Sequence, residues 1–157
     1  MGLDMYLKAE KYISGWDHSK NEAKEQFAKI IDAAGLDSED IATGSPSGTL
    51  SLNVMYWRKA NAIHNWFVKY VQNDVDNCKE YYVHRDDLKI LITACTAALN
   101  DKNAAPEVLP TKSGFFFGPT EYDEYYYQDL QETVDRLGKL LMDPKFEGWD
   151  FKYQSSW

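Results

Sequence analysis

Leu3-Asp-Met-Tyr-Leu-Lys-Ala-Glu-Lys-Tyr-Ile13 alternates along most of its length: Leu3, Met5, Leu7, Ala9 and Ile13 on one face, charges and tyrosines on the other. A strand sends successive side chains to opposite sides, so a period of two marks a strand with one face in a core. Working outward, Leu50-Ser-Leu-Asn-Val-Met-Tyr56 and the closing Trp149-Asp-Phe-Lys-Tyr-Gln154 repeat the pattern, and Glu80-Tyr-Tyr-Val83 reads as a short strand. Clean alternation at both ends of the chain suits a sheet with one face solvated or lightly covered.

Helical periods fill the intervals. Ser19-x-x-Glu22 reads as a capping box before a stripe of Ala23, Phe27, Ile30, Ile31 and Ala34, with Gly35 as a left-handed stop. A helix over 58–71 carries Ile63, Phe67, Val68 and Val71 inward, and one over 86–100 carries Leu88, Leu91, Ile92, Cys95 and Leu99. Thr120 is the expected cap of the last long helix, where Tyr126, Leu130, Val134, Leu137 and Leu141 recur. Residues 43–48 are a turn-rich loop without a phosphate-binding glycine pattern, and 101–112, with two prolines, reads as flexible. The expected fold is α+β: a single domain over 1–157, a sheet of about four strands with helices mainly on one face.

A chain of 157 residues buries roughly 68–70% of its unfolded surface. No apolar run approaches the ~20 residues of a membrane span, and the N-terminus lacks a signal-peptide layout, so a cytoplasmic protein that binds no membrane is expected. Cys78 and Cys95 lack Cys-x-x-Cys spacing, which argues against a disulfide framework and a zinc site. Asp74-x-Asp76-Asn77 lacks the glycine and distal glutamate of a calcium loop and reads as a solvated turn. A net charge of -8 opposes direct nucleic-acid binding, since each phosphate contact needs a local positive charge. No metal and no cofactor is implied.

Two segments are candidates for binding. In Ser113-Gly-Phe-Phe-Phe-Gly-Pro-Thr-Glu-Tyr-Asp-Glu-Tyr-Tyr-Tyr127, three consecutive Phe and three consecutive Tyr cannot all face one way. Some of Phe115, Phe116, Phe117, Tyr122 and Tyr126 therefore face a cleft, a partner or a second copy in a homodimer. In the other segment, Arg58 and Lys59 open a helix, where backbone N–H groups and the dipole favour an anion. Asn61 and Asn65 share a face with Arg58, and His64 lies beside it. The competing structural reading makes the asparagines surface residues, His64 a satisfied histidine, and the acids of 121–135 a solvated helix face.

The blocks Met1-Gly-Leu-Asp-Met-Tyr-Leu7, Tyr56-Trp-Arg-Lys-Ala-Asn-Ala-Ile-His-Asn-Trp-Phe67, Leu109–Gly118, Thr120–Tyr127 and Ser155-Ser-Trp157 resemble a group of short bacteriophage and prophage proteins. The resemblance spans the first dozen residues and most of 55–157; it departs over 14–50 and at Lys112, where glutamine is expected. It brings no activity and no site residue. It implies a phage accessory protein in the host bacterial cytoplasm during infection. With no metal-ligand spacing among His18, His64 and His84 and no nucleophile elbow, the leading expectation is a non-enzymatic binder of a small anionic, nucleotide-like ligand that counters host defence. Two alternatives stand beside it: an inhibitor that docks on a host protein through the same rings, and a small hydrolase acting on a nucleotide.

Overall fold

The structure, a computed structural model, describes residues 2–16 and 18–157. Four strands, β1 (Asp4–Ser14), β2 (Ser47–Arg58), β3 (Tyr81–Val83) and β4 (Asp150–Ser156), form an antiparallel sheet in the order β2-β1-β4-β3. Five helices are interspersed: α1 (Asn21–Ala33), α2 (Asn61–Tyr70), α3 (Arg85–Asn100), α4 (Ala105–Val108) and α5 (Glu124–Met142). The fold is α+β. Among the described residues no helix is long and apolar enough to cross a membrane. The chain divides into two compact units, one formed by residues up to Ala9 with Asn53–Trp157, the other by Glu10–Leu52.

The larger unit is built on the alternation of the terminal strands. Leu3, Met5, Leu7 and Ala9 are fully buried, and Phe151 and Tyr153 of β4 join them. Helices cover that face. Leu88, Leu91, Cys95 and Ala98 of α3 pack along Leu130 and Leu137 of α5, each fully buried Leu contributing about 1.5–3 kcal/mol. Burial pushes the Cys95 thiol up to about 12, so it behaves as a small apolar side chain. Trp57 donates its indole N–H to Thr133 Oγ1 at 2.8 Å, which ties β2 to α5 without leaving a buried donor unpaired. The other sheet face carries polar pairs: the Tyr56 hydroxyl donates to the Asp4 carboxylate, and Lys8 and Lys152 approach Glu80. β3 closes the sheet against β4, with Tyr82 opposite Lys152.

In the smaller unit the cap and the stripe differ from expectation. Ser19 does not cap α1; its hydroxyl is 2.6 Å from that of Ser14, and the helix starts after Lys20 without a side-chain cap. None of the residues of α1 is buried, although the stripe is present. Gly35 does end it, at φ 69°, with Leu36 N–H donating to the Ile31 carbonyl. Gly15 is required by close packing: a Cβ there would stand 2.5 Å from the Phe27 ring.

Two further boundaries move. α5 begins at Glu124 because Asp123, not Thr120, supplies the cap, accepting from Tyr126 N–H at 3.0 Å. The segment expected to be flexible contains α4 and buries Ala105 and Leu109.

Candidate functional site

The turn from β2 into α2 builds the site. Arg58 is the last residue of β2, and α2 begins only at Asn61, three residues later than the period suggested. Lys59 adopts φ 59°, unusual for a residue with a Cβ. Its N–H donates to the Leu3 carbonyl at 2.8 Å, which keeps it on the sheet. Ala60 (φ -75°, ψ 67°) then makes an inverse γ-turn, closed by Asn61 N–H donating to the Lys59 carbonyl. Arg58 and Lys59 therefore stand before the helix rather than on it. Ala60 has no side chain to cap the first turn, so its N–H groups keep the open anion preference of a helix start.

Beside this turn lies a cavity of about 360 Å³, within the range of small-molecule sites. Arg58, Lys59 and the first turn of α2 form one wall; Glu121, Asp123, Tyr125, Tyr126, Asp129 and Leu130 form the other. Among the described residues no hydrogen bond or ion pair engages the side chain of Arg58 or Lys59. Opposite them, burial pushes the Asp129 carboxyl up to about 6, with Glu132 and Asp123 adding repulsion.

Asp129 is an exception to the solvated face expected of the acids of 121–135: Glu121, Glu124, Glu132 and Asp135 are exposed, whereas Asp129 is half-buried. Its position held a signal: it is three residues after Tyr126 and four before Thr133, inside the buried stripe of α5.

Asn61, expected to face a ligand, is buried and holds the aromatic loop. Its amide donates to the carbonyls of Phe117 (3.1 Å) and Pro119 (2.7 Å), and its oxygen accepts from Lys112 N–H at 3.1 Å. Asn65 donates to the Pro110 carbonyl at 3.1 Å, on the same loop. The cationic turn and the aromatic loop are thus adjacent, joined through the neck of the loop. Leu3 N–H adds a bond to the Phe116 carbonyl, and Gly114 lets the Phe117 ring fold back where a Cβ would stand 2.5 Å from it.

His64, the other expected ligand contact, is fully buried. Nε2 is 3.0 Å from Asp76 Oδ2, and Nδ1 is 2.8 Å from the Tyr153 hydroxyl. Burial holds its pKa below the usual histidine value, against the pull of Asp76. The ring is therefore neutral near pH 7, with Nε2–H donating to the carboxylate and Nδ1 accepting from Tyr153 O–H. Asp76 also accepts from Lys112 Nζ and from the Trp157 indole, each at 3.1 Å. Burial works to raise its pKa, but these donors together hold it below the ordinary carboxylate value. Asp76 is a junction rather than part of a solvated turn.

The rings divide. Phe117 is buried, edge-on to His64 and Trp157, and Tyr126 is buried with its hydroxyl donating to the Leu109 carbonyl at 2.9 Å. Tyr126 lines the cavity; Phe115, Phe116 and Phe117 do not. Phe115 is 93% exposed with Phe116 edge-on beside it. Tyr122 packs on Tyr126, and its hydroxyl accepts from Thr111 N–H at 3.3 Å. Among the described residues no group of three or more metal-ligating side chains stands together.

No protein family, curated protein or solved structure matches the chain.

Proposed function

We propose that the chain is a binding protein whose cavity takes a small anionic ligand of the nucleotide class. One observation carries this reading: two cationic side chains without partners and an uncapped helix start share one cavity wall, facing the Tyr125 and Tyr126 side of α5. An arginine fork and backbone N–H groups suit a phosphate, and tyrosine suits the flat remainder of a nucleotide. Set beside the resemblance to bacteriophage proteins, the reading makes this a sequestering factor in the infected cell, withholding a host nucleotide or nucleotide-like signal. Sequestration requires no catalytic group.

Arg58→Ala tests it. Removing an exposed, unpaired side chain leaves the melting temperature nearly unchanged, while affinity for nucleoside phosphates, measured by calorimetry, falls more than tenfold, about 1.4 kcal/mol. A clear loss of stability, or unchanged affinity, removes the anion site.

A second reading, docking on a host protein, is favoured by Phe115, an exposed ring at the tip of a loop fixed at its neck by Asn61. A stiff, exposed aromatic is the usual form of an interface anchor.

A further inference from the structure

The wall facing Arg58 and Lys59 has a chemistry of its own. Tyr126 O–H is already engaged by the Leu109 carbonyl, and Asp123 accepts the N–H that caps α5. What remains is acceptors: among the described residues no hydrogen bond engages the side chain of Asp129 or Glu121. Asp129 is half-buried and lines the cavity with Tyr126 and Leu130, so whatever enters must offer it donors or leave it unpaired.

Resting on the nucleotide reading above, we propose that Asp129 selects the base, its carboxylate accepting two adjacent N–H groups, so that the cavity takes a guanine nucleotide. Guanine alone among the common bases presents two neighbouring N–H donors, N1 and N2, on one edge, matching the two oxygens of a carboxylate. Adenine and cytosine place an acceptor beside their amino group, and uracil flanks its single N–H with two carbonyls. Each would set a lone pair against Asp129, with Glu121 on the same wall. A cavity of about 360 Å³ is at the small end of ligand sites, which fits a monophosphate whose anionic end rests on Arg58 and Lys59. The pKa of Asp129, pushed up to about 6 by burial, is what a carboxylate awaiting donors shows, and bound N–H groups lower it again.

The experiment measures binding of GMP, IMP, AMP and UMP to the wild type, Asp129→Asn and Arg58→Ala by calorimetry near neutral pH. The expected order is GMP tightest, IMP at least tenfold weaker for want of the 2-amino group, and AMP and UMP weaker still. Asp129→Asn, which swaps one acceptor for a donor, weakens GMP at least tenfold, brings AMP level with it, and keeps or raises the melting temperature. Its loss of GMP affinity is greatest above pH about 6 and shrinks below, where the wild-type carboxyl is protonated. The nucleotide phosphate also ionises near pH 6, and the charged neighbours Asp123 and Glu132 are common to both proteins, so the difference between the two proteins is the quantity read. If all four nucleotides bind alike and all depend on Arg58, base selection by Asp129 is wrong and the anion site stands. If none binds at millimolar concentration, both fall. Cleavage of a bound nucleotide that depends on Asp129 also overturns a role confined to recognition.

Discussion

Two regions that meet at α2 treat polar side chains in opposite ways. Around His64, the imidazole, Asp76, the Tyr153 hydroxyl, Lys112 and the Trp157 indole are linked in one hydrogen-bonded cluster, and Asn61 uses both its oxygen and its amide on the neck of the loop. Around the cavity, the side chains of Arg58, Lys59 and Asp129 share one lining, with no hydrogen bond or ion pair to any of them among the described residues. A satisfied polar network fixes a fold, because removing any member leaves others buried and unpaired. Charged groups left without partners around a cavity contribute little to folding and are available to a ligand. The histidine and asparagine that a motif-minded reading assigns to binding are thus the groups that hold the site, and the unnoticed aspartate lines it.

The largest effect expected from breaking this contrast is at Asp76. Asp76→Ala leaves His64 Nε2–H, the Lys112 ammonium and the Trp157 indole without their common acceptor, and should cost about 3 kcal/mol or more in chemical denaturation. A cost below about 1 kcal/mol would show that the cluster is not structural, since loss of a surface pair amounts to no more than that.

An intermediate effect appears in the pH dependence of stability, where the two regions have opposite signs. The folded pKa of His64 lies below 6.5, so its contribution is complete above 6.5 and is lost as pH falls through the folded value. The folded pKa of Asp129, about 6, lies above 3.8, so its contribution is present below 3.8 and is lost as pH rises through about 6. In Asp129→Asn the second slope disappears. Its stability should therefore climb more steeply with pH than the wild type and exceed it near neutrality by about 1 kcal/mol, a figure discounted for partial solvent access. Parallel curves for the two proteins would falsify the assignment of Asp129 to a desolvated site.

The smallest effect sharpens the same comparison from outside both regions. Phe115→Ala removes a ring with almost no burial, so stability and nucleotide affinity should both stay within about 0.5 kcal/mol of wild type. Loss of either would mean that the loop tip folds over the cavity in solution. Loss of binding to a defined host protein alone would favour the docking reading.

Particular elements show how far the sequence carried. The alternation of 3–13 and 149–154 located two strands to within two residues, because a half-buried strand leaves its period in the chain itself. The stripe of α3 was legible in part: Leu88, Leu91 and Cys95 are buried as read, whereas Ile92 and Leu99 are half-buried and Ala98 is buried with the first three. The start of α2 was not: an apolar period cannot reveal that Lys59 turns left-handed and Ala60 closes a γ-turn, so Arg58 was assigned to a helix it precedes. Thr120 and Ser19 were read as caps because their residue types permit it, whereas capping depends on which side chain reaches the free N–H groups.

By itself, then, the sequence determined what is periodic or compositional: an α+β chain, its strand faces, its helical stripes, and the unusual rings and cations of 58–65 and 113–127. Only the tertiary structure decided which polar groups have partners. It brought Asn61 to Pro119 across 58 residues and Tyr153 to His64 across 89, and it left Arg58 and Asp129 facing one cavity. The physical reason is that satisfaction of a hydrogen bond is a property of a pair of groups in space. A chain records the groups one at a time, and only folding determines which of them meet.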